Sequence, residues 1–144
     1  MNAYLDASVL VAMFTVDEHS ASTIAWLPGA QERLSLSTWG LTEFTSALGV
    51  AYRTGRFAAG EREAAEAALR EWMRVGPQPV PLRPDDVGQA RNLIRGTQVA
   101  LRAGDALHLA IAQRLDTSVA TFDRRMALAA ADLGIPVEDL PPHP

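Results

Sequence analysis

Residues 2–14, NAYLDASVLVAMF, contain the pattern that decides the fold. The apolar stretch NAYL predicts a short strand, and ASVLVAMF predicts a helix whose start would be capped by Asp6 or Ser8. Asp6 lies between the two elements, where the strand ends. In open α/β sheets ligands bind beyond the carboxyl ends of the strands, so Asp6 is a candidate site residue.

The alternation of strands and helices continues along the chain. Further strands are predicted at RLSLST, PQPVPL, SVAT and PVEDL. Further helices are predicted over EHSASTIAWL, from about Trp39 to Arg53, and over GEREAAEAALREWMR, PDDVGQARNLI, DALHLAIAQRL and FDRRMALAAADL. The first of these helices would end at Pro28–Gly29.

Parallel strands need a crossover helix between them, so this order predicts an α/β fold. We expect a single domain with a short parallel β-sheet of about five strands flanked by helices. The prolines of PQPVPL cannot donate ladder hydrogen bonds, which places that strand at a sheet edge.

Length and composition agree with one compact domain, because 144 residues with 48% hydrophobic and 21% charged residues are ordinary for a globular protein. We expect the domain to cover residues 1–140 and residues 141–144 to form a loose tail. No apolar run could span a bilayer and no secretory signal is present, so a soluble, cytoplasmic protein is expected.

The net charge is −4 with an isoelectric point near 5.3, so the overall field would repel nucleic acids and anionic membranes. Any polyanion must therefore be held locally. All thirteen basic residues are arginine, which excludes a catalytic lysine, and the absence of cysteine excludes thiolate chemistry. The three histidines, His19, His108 and His143, show no metal-ligand spacing.

Three aspartates stand at helix starts: Asp6 after NAYL, Asp123 after SVAT, and Asp105 in LRAGDALHLA. Each could be a helix cap, because the first turn leaves N–H groups that favour a carboxylate. Capping does not explain why serine, threonine and asparagine are avoided at all three positions. Clustered carboxylates repel one another unless a hard cation such as Mg²⁺ binds them. The residues favour an acidic metal pocket and leave independent caps as the alternative.

Six residues carry a family resemblance in their local motifs. They are Asp6 and Ser8 in LDAS, Glu43 in STWGLTEFTSAL, Asp105 in RAGDALHLA, and Thr121 and Asp123 in VATFDRRM. Together they resemble the acidic signature of PIN-domain ribonucleases, and within that family they most resemble the VapC-type toxins of bacterial toxin–antitoxin pairs. The matching motifs run across nearly the whole chain.

The resemblance implies that Asp6, Glu43, Asp105 and Asp123 converge on Mg²⁺ or Mn²⁺. Asp6 and Asp105 would be direct ligands, and Asp123 a ligand directly or through water. Glu43 would orient a metal-bound water or help hold a second ion. A bound divalent ion activates water and stabilises the charge of a phosphoryl transition state, which implies an endoribonuclease that leaves 5′-phosphate and 3′-hydroxyl ends.

Other polar residues are predicted to hold the carboxylates in place or to contact the RNA. Ser8 and Thr121 would hydrogen-bond neighbouring carboxylates or serve as local caps. Four arginines are candidates for RNA phosphate contacts, with ordinary solvated side chains as the alternative: Arg53, Arg56, Arg124 and Arg125.

Four residues that could suggest chemistry are interpreted as structural. His108 follows Asp105 by one helical turn, and its apolar neighbours favour a packed or half-exposed structural histidine over a catalytic one. Trp26, Trp39 and Trp72 are assigned to core or interface packing, because no alternating basic and aromatic pattern surrounds them.

The expected partners are an RNA substrate, a cognate VapB-like antitoxin and a second copy of the chain in a homodimer. Amphipathic helices in EHSASTIAWL and GEREAAEAALREWMR motivate the protein partners, and one of their apolar faces is expected to stay open in the isolated chain. An arginine of the antitoxin could then reach the acidic pocket.

Alternative functions stay open. The chain could be a PIN-fold nuclease of housekeeping RNA processing, or a non-catalytic partner-binding module whose acids are caps or relics. Haloacid-dehalogenase-like phosphatases and receiver domains also begin with a strand and an aspartate. Both usually use a lysine near the phosphate, which this chain lacks.

Overall fold

The computed structural model describes residues 1–142. Three strands and seven α-helices alternate along this part of the chain, with a single 3₁₀ turn at Gln31–Arg33. In chain order the elements are β1 (Ala3–Leu5), α1 (Ala7–Phe14), α2 (Ser20–Ala30), β2 (Leu34–Ser35), α3 (Thr38–Arg53), α4 (Ala59–Val75), α5 (Pro84–Gly96), α6 (Ala103–Arg114), β3 (Ser118–Ala120) and α7 (Arg124–Asp132).

The sheet is parallel and has the order β2-β1-β3. Ala3 pairs with Leu34 on one side of β1 and with Ser118 on the other, and Leu5 pairs with Ala120. Strand β1 is buried throughout because it is central and covered on both faces. The predicted α/β fold with a parallel sheet between helices is confirmed.

The expectation of about five strands is wrong in its count. Val80 of PQPVPL and Val137 of PVEDL each form only a single parallel bridge, to Ser37 and Val119 respectively. Prolines on both sides of Val80 cannot donate, so pairing stops after Val80 donates to Leu36 and accepts from Thr38. Val80 thus extends the β2 side of the sheet, which is the edge placement that the prolines predicted.

Helix α2 does not end at Pro28–Gly29, as the sequence suggested, but continues to Ala30. Proline removes the hydrogen bond that its nitrogen would donate to the carbonyl of Ile24. Ile24 is 69% exposed, so water can satisfy that carbonyl and the helix continues through the proline.

The core lies on both faces of the sheet, because successive side chains of β1 point to opposite sides. Tyr4 packs in a cluster with residues of α5, α6 and α7, and Leu5 packs in a second cluster with residues of α1, α3 and α4. The tryptophans pack against these clusters, as expected: Trp39 against the first, and Trp26 and Trp72 against the second.

Near the C-terminus, Leu140 packs against the Leu5 cluster, while Pro141 and Pro142 belong to no helix or strand. The domain boundary at residue 140 and the loose tail of residues 141–144 stay predictions. The last two residues of that tail, His143 and Pro144, lie outside the described residues. No helix in residues 1–142 is long and apolar enough to cross a membrane.

Candidate active site

Asp6 leaves the end of β1 and caps α1. Its Oδ1 accepts hydrogen bonds from the Val9 backbone N–H at 3.1 Å and the Ser8 hydroxyl at 2.6 Å, and its Oδ2 accepts one from the Thr121 hydroxyl at 2.5 Å. The residue is only 4% exposed. Burial raises the pKa of Asp6, and the nearby His108 and the three hydrogen bonds oppose that rise.

Ser8 and Thr121 support the Asp6 carboxylate, and each also receives a backbone hydrogen bond from the segment after β3. The Phe122 N–H donates to Ser8 Oγ at 3.0 Å, and the Asp123 N–H donates to Thr121 Oγ1 at 3.0 Å. The two hydroxyls therefore fix the ends of β1 and β3 relative to each other, besides orienting the acid.

Asp123 is the N-cap of α7. Its Oδ1 accepts hydrogen bonds from the backbone N–H groups of Arg125 at 2.9 Å and Met126 at 3.1 Å. The capping explanation is thus correct for both Asp6 and Asp123, and it leaves Oδ2 of Asp123 available to a ligand.

Asp105 is not a cap. It is the third residue of α6, whose N-cap is Arg102, and no side-chain capping hydrogen bond is made at this helix start. Its carboxylate accepts no hydrogen bond from residues 1–142, although the residue is only partly exposed. A partly buried carboxylate without a donor needs another reason to be there.

Neighbouring acids dominate the surroundings of Asp105. Burial, together with the charges of Asp123, Glu43 and Asp6, raises the pKa of Asp105 to about 6, while His108 opposes the rise. The structure therefore brings Asp105 within electrostatic range of the other three predicted acids.

Glu43 reaches this cluster from α3. One carboxylate oxygen, Oε1, is hydrogen-bonded to Nε2 of His108. A Cβ placed on Gly104 would lie 3.3 Å from the other oxygen, Oε2, so only glycine leaves ample room for the carboxylate against the first turn of α6. The Trp39 indole N–H donates to the Gly104 carbonyl at 3.1 Å and holds this turn in place.

Sequence reasoning missed the roles of Gly104 and His108. His108 is buried, at 1% exposure, as predicted for a packed histidine, but it also contacts Glu43, which its apolar neighbours did not indicate. The one available signal was Gly104 directly before Asp105, since glycine often marks a close approach of another group to the backbone.

A cavity of about 250 Å³ opens beside the acids. It is lined by Arg102, Asp105, Asp123, Arg124 and Arg125. Three exposed arginines thus surround two acids, and Arg102 is an addition to the predicted set. These arginines place positive charge beside the carboxylates in a chain whose net charge is −4.

The other two predicted arginines lie elsewhere. Arg53 ends α3, ten residues after Glu43, which is about 15 Å along the helix. Arg56 lines a different cavity, together with Asp17 and Glu18. The structure does not bring either one to the acids.

The donor chemistry of the site fits a hard divalent cation. Asp105 offers carboxylate oxygens without a hydrogen-bond donor, among negative neighbours whose repulsion a cation would relieve. Within residues 1–142, however, no three carboxylate or imidazole side chains already form a ready metal site.

A family model for the PIN domain matches residues 3–132. This chain belongs to the PIN-domain family. The match covers all four acids, and it confirms the family and the fold that the sequence motifs suggested.

Three solved structures share this fold along almost their whole length. VapC20 from Mycobacterium tuberculosis, described as a toxin that cleaves the sarcin–ricin loop, superimposes with a TM-score of 0.74 at 18% identity, covering 97% of this chain and 100% of that one. VapBC2 from Rickettsia felis, bound to a DNA fragment from its promoter, superimposes with a TM-score of 0.69 at 12% identity, covering 98% of this chain and 100% of that one. FitAcB from Neisseria gonorrhoeae superimposes with a TM-score of 0.67 at 18% identity, covering 95% of this chain and 96% of that one. A comparison with curated proteins gives no match.

Proposed function

We propose that this PIN-domain protein is a metal-dependent endoribonuclease that hydrolyses RNA to 5′-phosphate and 3′-hydroxyl ends. The observation that carries the proposal is Asp105, a partly buried carboxylate that caps nothing, accepts no hydrogen bond within residues 1–142 and faces three other acids. Such an arrangement is unfavourable for folding alone and favourable for binding a cation.

Asp6, Asp105 and Asp123 would hold Mg²⁺ or Mn²⁺. The ion would supply activation of water and stabilisation of the charge that develops on the phosphate. Ser8 and Thr121 keep the Asp6 carboxylate in one orientation, which limits the rearrangement needed on binding. Glu43 would accept a hydrogen bond from the attacking water and so orient it.

The arginines that line the cavity would bind the RNA backbone next to the acids. Arg124 and Arg125 follow Asp123 directly, and Arg102 stands at the start of the helix that carries Asp105. Guanidinium groups donate paired hydrogen bonds to phosphate oxygens, so these side chains would set the position of the scissile phosphate.

We further propose that the protein is the toxin of a VapBC-type pair, acting as a homodimer and inhibited by a VapB-like antitoxin. The similarity in fold to VapC20, VapBC2 and FitAcB supports this assignment. An apolar cavity of about 370 Å³ between the end of α1 and α4 could take an apolar antitoxin segment. It is lined by Phe14, Thr15, Val16, Phe57, Glu61, Ala64, Ala65 and Ala68.

The nuclease proposal is tested by incubating purified protein with total bacterial RNA and sequencing the new 5′-phosphate ends. Cleavage is expected with Mg²⁺ or Mn²⁺ and not in EDTA, and we expect Asp6→Asn and Asp105→Asn to lower the rate by about 100-fold or more. Asp116→Asn removes the same charge at an exposed position away from the site and is the matched control. Undiminished cleavage in EDTA would refute the mechanism.

The toxin proposal has a separate test. Expression of the wild-type chain should arrest growth, and co-expression of the protein encoded by the adjacent gene should restore it and copurify with the toxin. Metal-dependent cleavage without such a partner would favour housekeeping RNA processing.

A further inference from the structure

A buried chain of hydrogen bonds leads from the start of α3 to the Glu43 carboxylate. The Gly40 N–H donates to Ser37 Oγ at 3.0 Å, and Ser37 Oγ lies 2.6 Å from the Tyr4 hydroxyl. The Tyr4 hydroxyl lies 2.8 Å from Nδ1 of His108, whose Nε2 is hydrogen-bonded to Glu43 Oε1.

The chain crosses the core between elements that are distant in sequence. Ser37 caps α3, Tyr4 lies in the central strand and His108 lies in α6, and all three are at most 1% exposed. Only the last member, Glu43, reaches solvent, with a side-chain exposure of 32%. The network therefore begins inside the protein and ends at the candidate active site.

One arrangement of hydrogens satisfies every member of this chain with a neutral histidine. The backbone N–H of Gly40 donates to Ser37 Oγ, and the Ser37 hydroxyl donates to Tyr4. Tyr4 then donates to Nδ1 of His108, and His108 carries its hydrogen on Nε2 and donates it to Glu43. The alternative arrangement is a doubly protonated His108 that donates to both Glu43 and Tyr4, with Tyr4 donating to Ser37.

We propose that His108 and Tyr4 are positioning residues that hold the Glu43 carboxylate in one orientation for the reaction. With Oε1 fixed by His108, Oε2 is directed against Gly104, next to Asp105. A glutamate on a solvent-facing part of a helix would otherwise sample several rotamers. The reaction that Glu43 serves rests on the proposed nuclease function, but the order of the hydrogen bonds does not.

Side-chain ¹⁵N NMR of the metal-free protein tests the order of the hydrogen bonds without any substrate. The His108 signals are assigned by their loss in His108→Gln. The expected spectrum has a hydrogen on Nε2 and none on Nδ1, and a hydrogen on Nδ1 would overturn the proposal. Tyr4→Phe should shift the Nδ1 signal, whereas Tyr52→Phe, at the only other tyrosine, should not.

Kinetics on the cleaved RNA test the positioning role, with rates expressed per folded protein from circular dichroism. Tyr4→Phe should lower kcat about three- to tenfold with KM near wild type, as expected for one lost hydrogen bond, while Tyr52→Phe stays at wild-type values. His108→Leu should lower kcat further, and His108→Gln should restore part of it, because its amide can donate to Glu43.

The two experiments separate failure of this inference from failure of the proposed function. If the wild type cleaves RNA and Tyr4→Phe has an unchanged kcat, the positioning role is refuted. If the expected tautomer is found but the wild type cleaves no RNA under any metal condition, the nuclease proposal and the catalytic role of Glu43 fail together, and the hydrogen-bond chain remains established.

Discussion

Two buried aspartates in this protein have opposite surroundings. Asp86, at the start of α5, is 2% exposed and accepts hydrogen bonds from Arg114 Nε at 2.7 Å and Nη2 at 2.8 Å. The Arg114 guanidinium lowers the pKa of Asp86 against the effect of burial. Asp6 is 4% exposed and is bonded only by hydroxyls and a backbone N–H, and burial raises its pKa.

The difference separates an acid whose charge is paired within the fold from acids that we propose bind a metal ion. Asp86 has its counter-ion within the chain, so its charge is compensated as soon as the protein folds. Asp6 and Asp105 form no ion pair with an arginine of residues 1–142, although three arginines line the same cavity as Asp105. In the proposed function, a bound cation supplies this compensation.

The largest effect on stability is expected from breaking the ion pair between Asp86 and Arg114. Asp86→Ala leaves the Arg114 guanidinium partly buried without its carboxylate and should lower the free energy of unfolding by about 3 kcal/mol, measured by urea denaturation. Asp85→Ala removes an exposed acid one residue away and should change it by less than about 0.5 kcal/mol. Equal effects of the two variants would show that Asp86 acts only as a negative charge at the start of α5 and that its ion pair with Arg114 adds no stability.

A slightly smaller effect is expected from adding metal to the site acids. Mg²⁺ or Mn²⁺ at a hundredfold excess over Kd should stabilise the wild type by about 2.7 kcal/mol, and Asp105→Asn should lose most of this gain. In EDTA at neutral pH the variant should have the higher Tm, because it removes repulsion, so metal should invert the order of the two melting temperatures. Asp116→Asn should follow the wild type in both conditions, and identical curves for wild type and Asp105→Asn would refute the metal pocket.

The pH dependence of stability should have opposite signs in the two regions. Asp105 has a folded-state pKa of about 6 against an ordinary 3.8, so the folded state binds more protons in this range. Metal-free stability should therefore fall as pH rises from about 4 to about 6, by on the order of 1 kcal/mol after allowance for solvent screening. Asp105→Asn should flatten this slope in urea titrations.

The lowered pKa of Asp86 has the reverse consequence. Its contribution is present above the ordinary aspartate pKa and is lost as pH falls through the lowered value. Asp86→Ala should therefore weaken the loss of stability in acid and leave the slope between pH 4 and 6 unchanged. A change of that upper slope would mean that the two regions are coupled.

The smallest effect is expected on RNA binding when the arginines that line the cavity are replaced one at a time. Arg124→Ala and Arg125→Ala should each raise KM for RNA a few-fold and reduce the salt dependence of binding by about one phosphate contact, measured by filter binding. Arg53→Ala and Arg56→Ala should do less, because neither side chain lines the cavity beside Asp105 and Asp123. An equal effect at all four positions would indicate general charge attraction.

Local sequence patterns predicted much of this molecule. The strand, acid and helix of residues 2–14, the bounds of α1 and α3 to within a residue, and the edge position of PQPVPL are all found in the structure. These features depend on periodicity, capping and the missing donor of proline, which act over a few residues. The continuation of α2 was missed because the predicted helix was ended at Pro28–Gly29, whereas the helix runs to Ala30 without the hydrogen bond that proline removes.

By itself, the sequence determined the family, the order of the acids and the parallel α/β fold. Only the tertiary structure decided what each acid contacts. The Asp6 carboxylate accepts a hydrogen bond from the hydroxyl of Thr121, which is 115 residues away in the sequence. Glu43 is hydrogen-bonded to His108, which is 65 residues away. Such contacts depend on how the helices pack against the sheet, which no local pattern encodes. For the same reason Asp105, which looked like a cap in the sequence, is the one aspartate of the three that caps nothing.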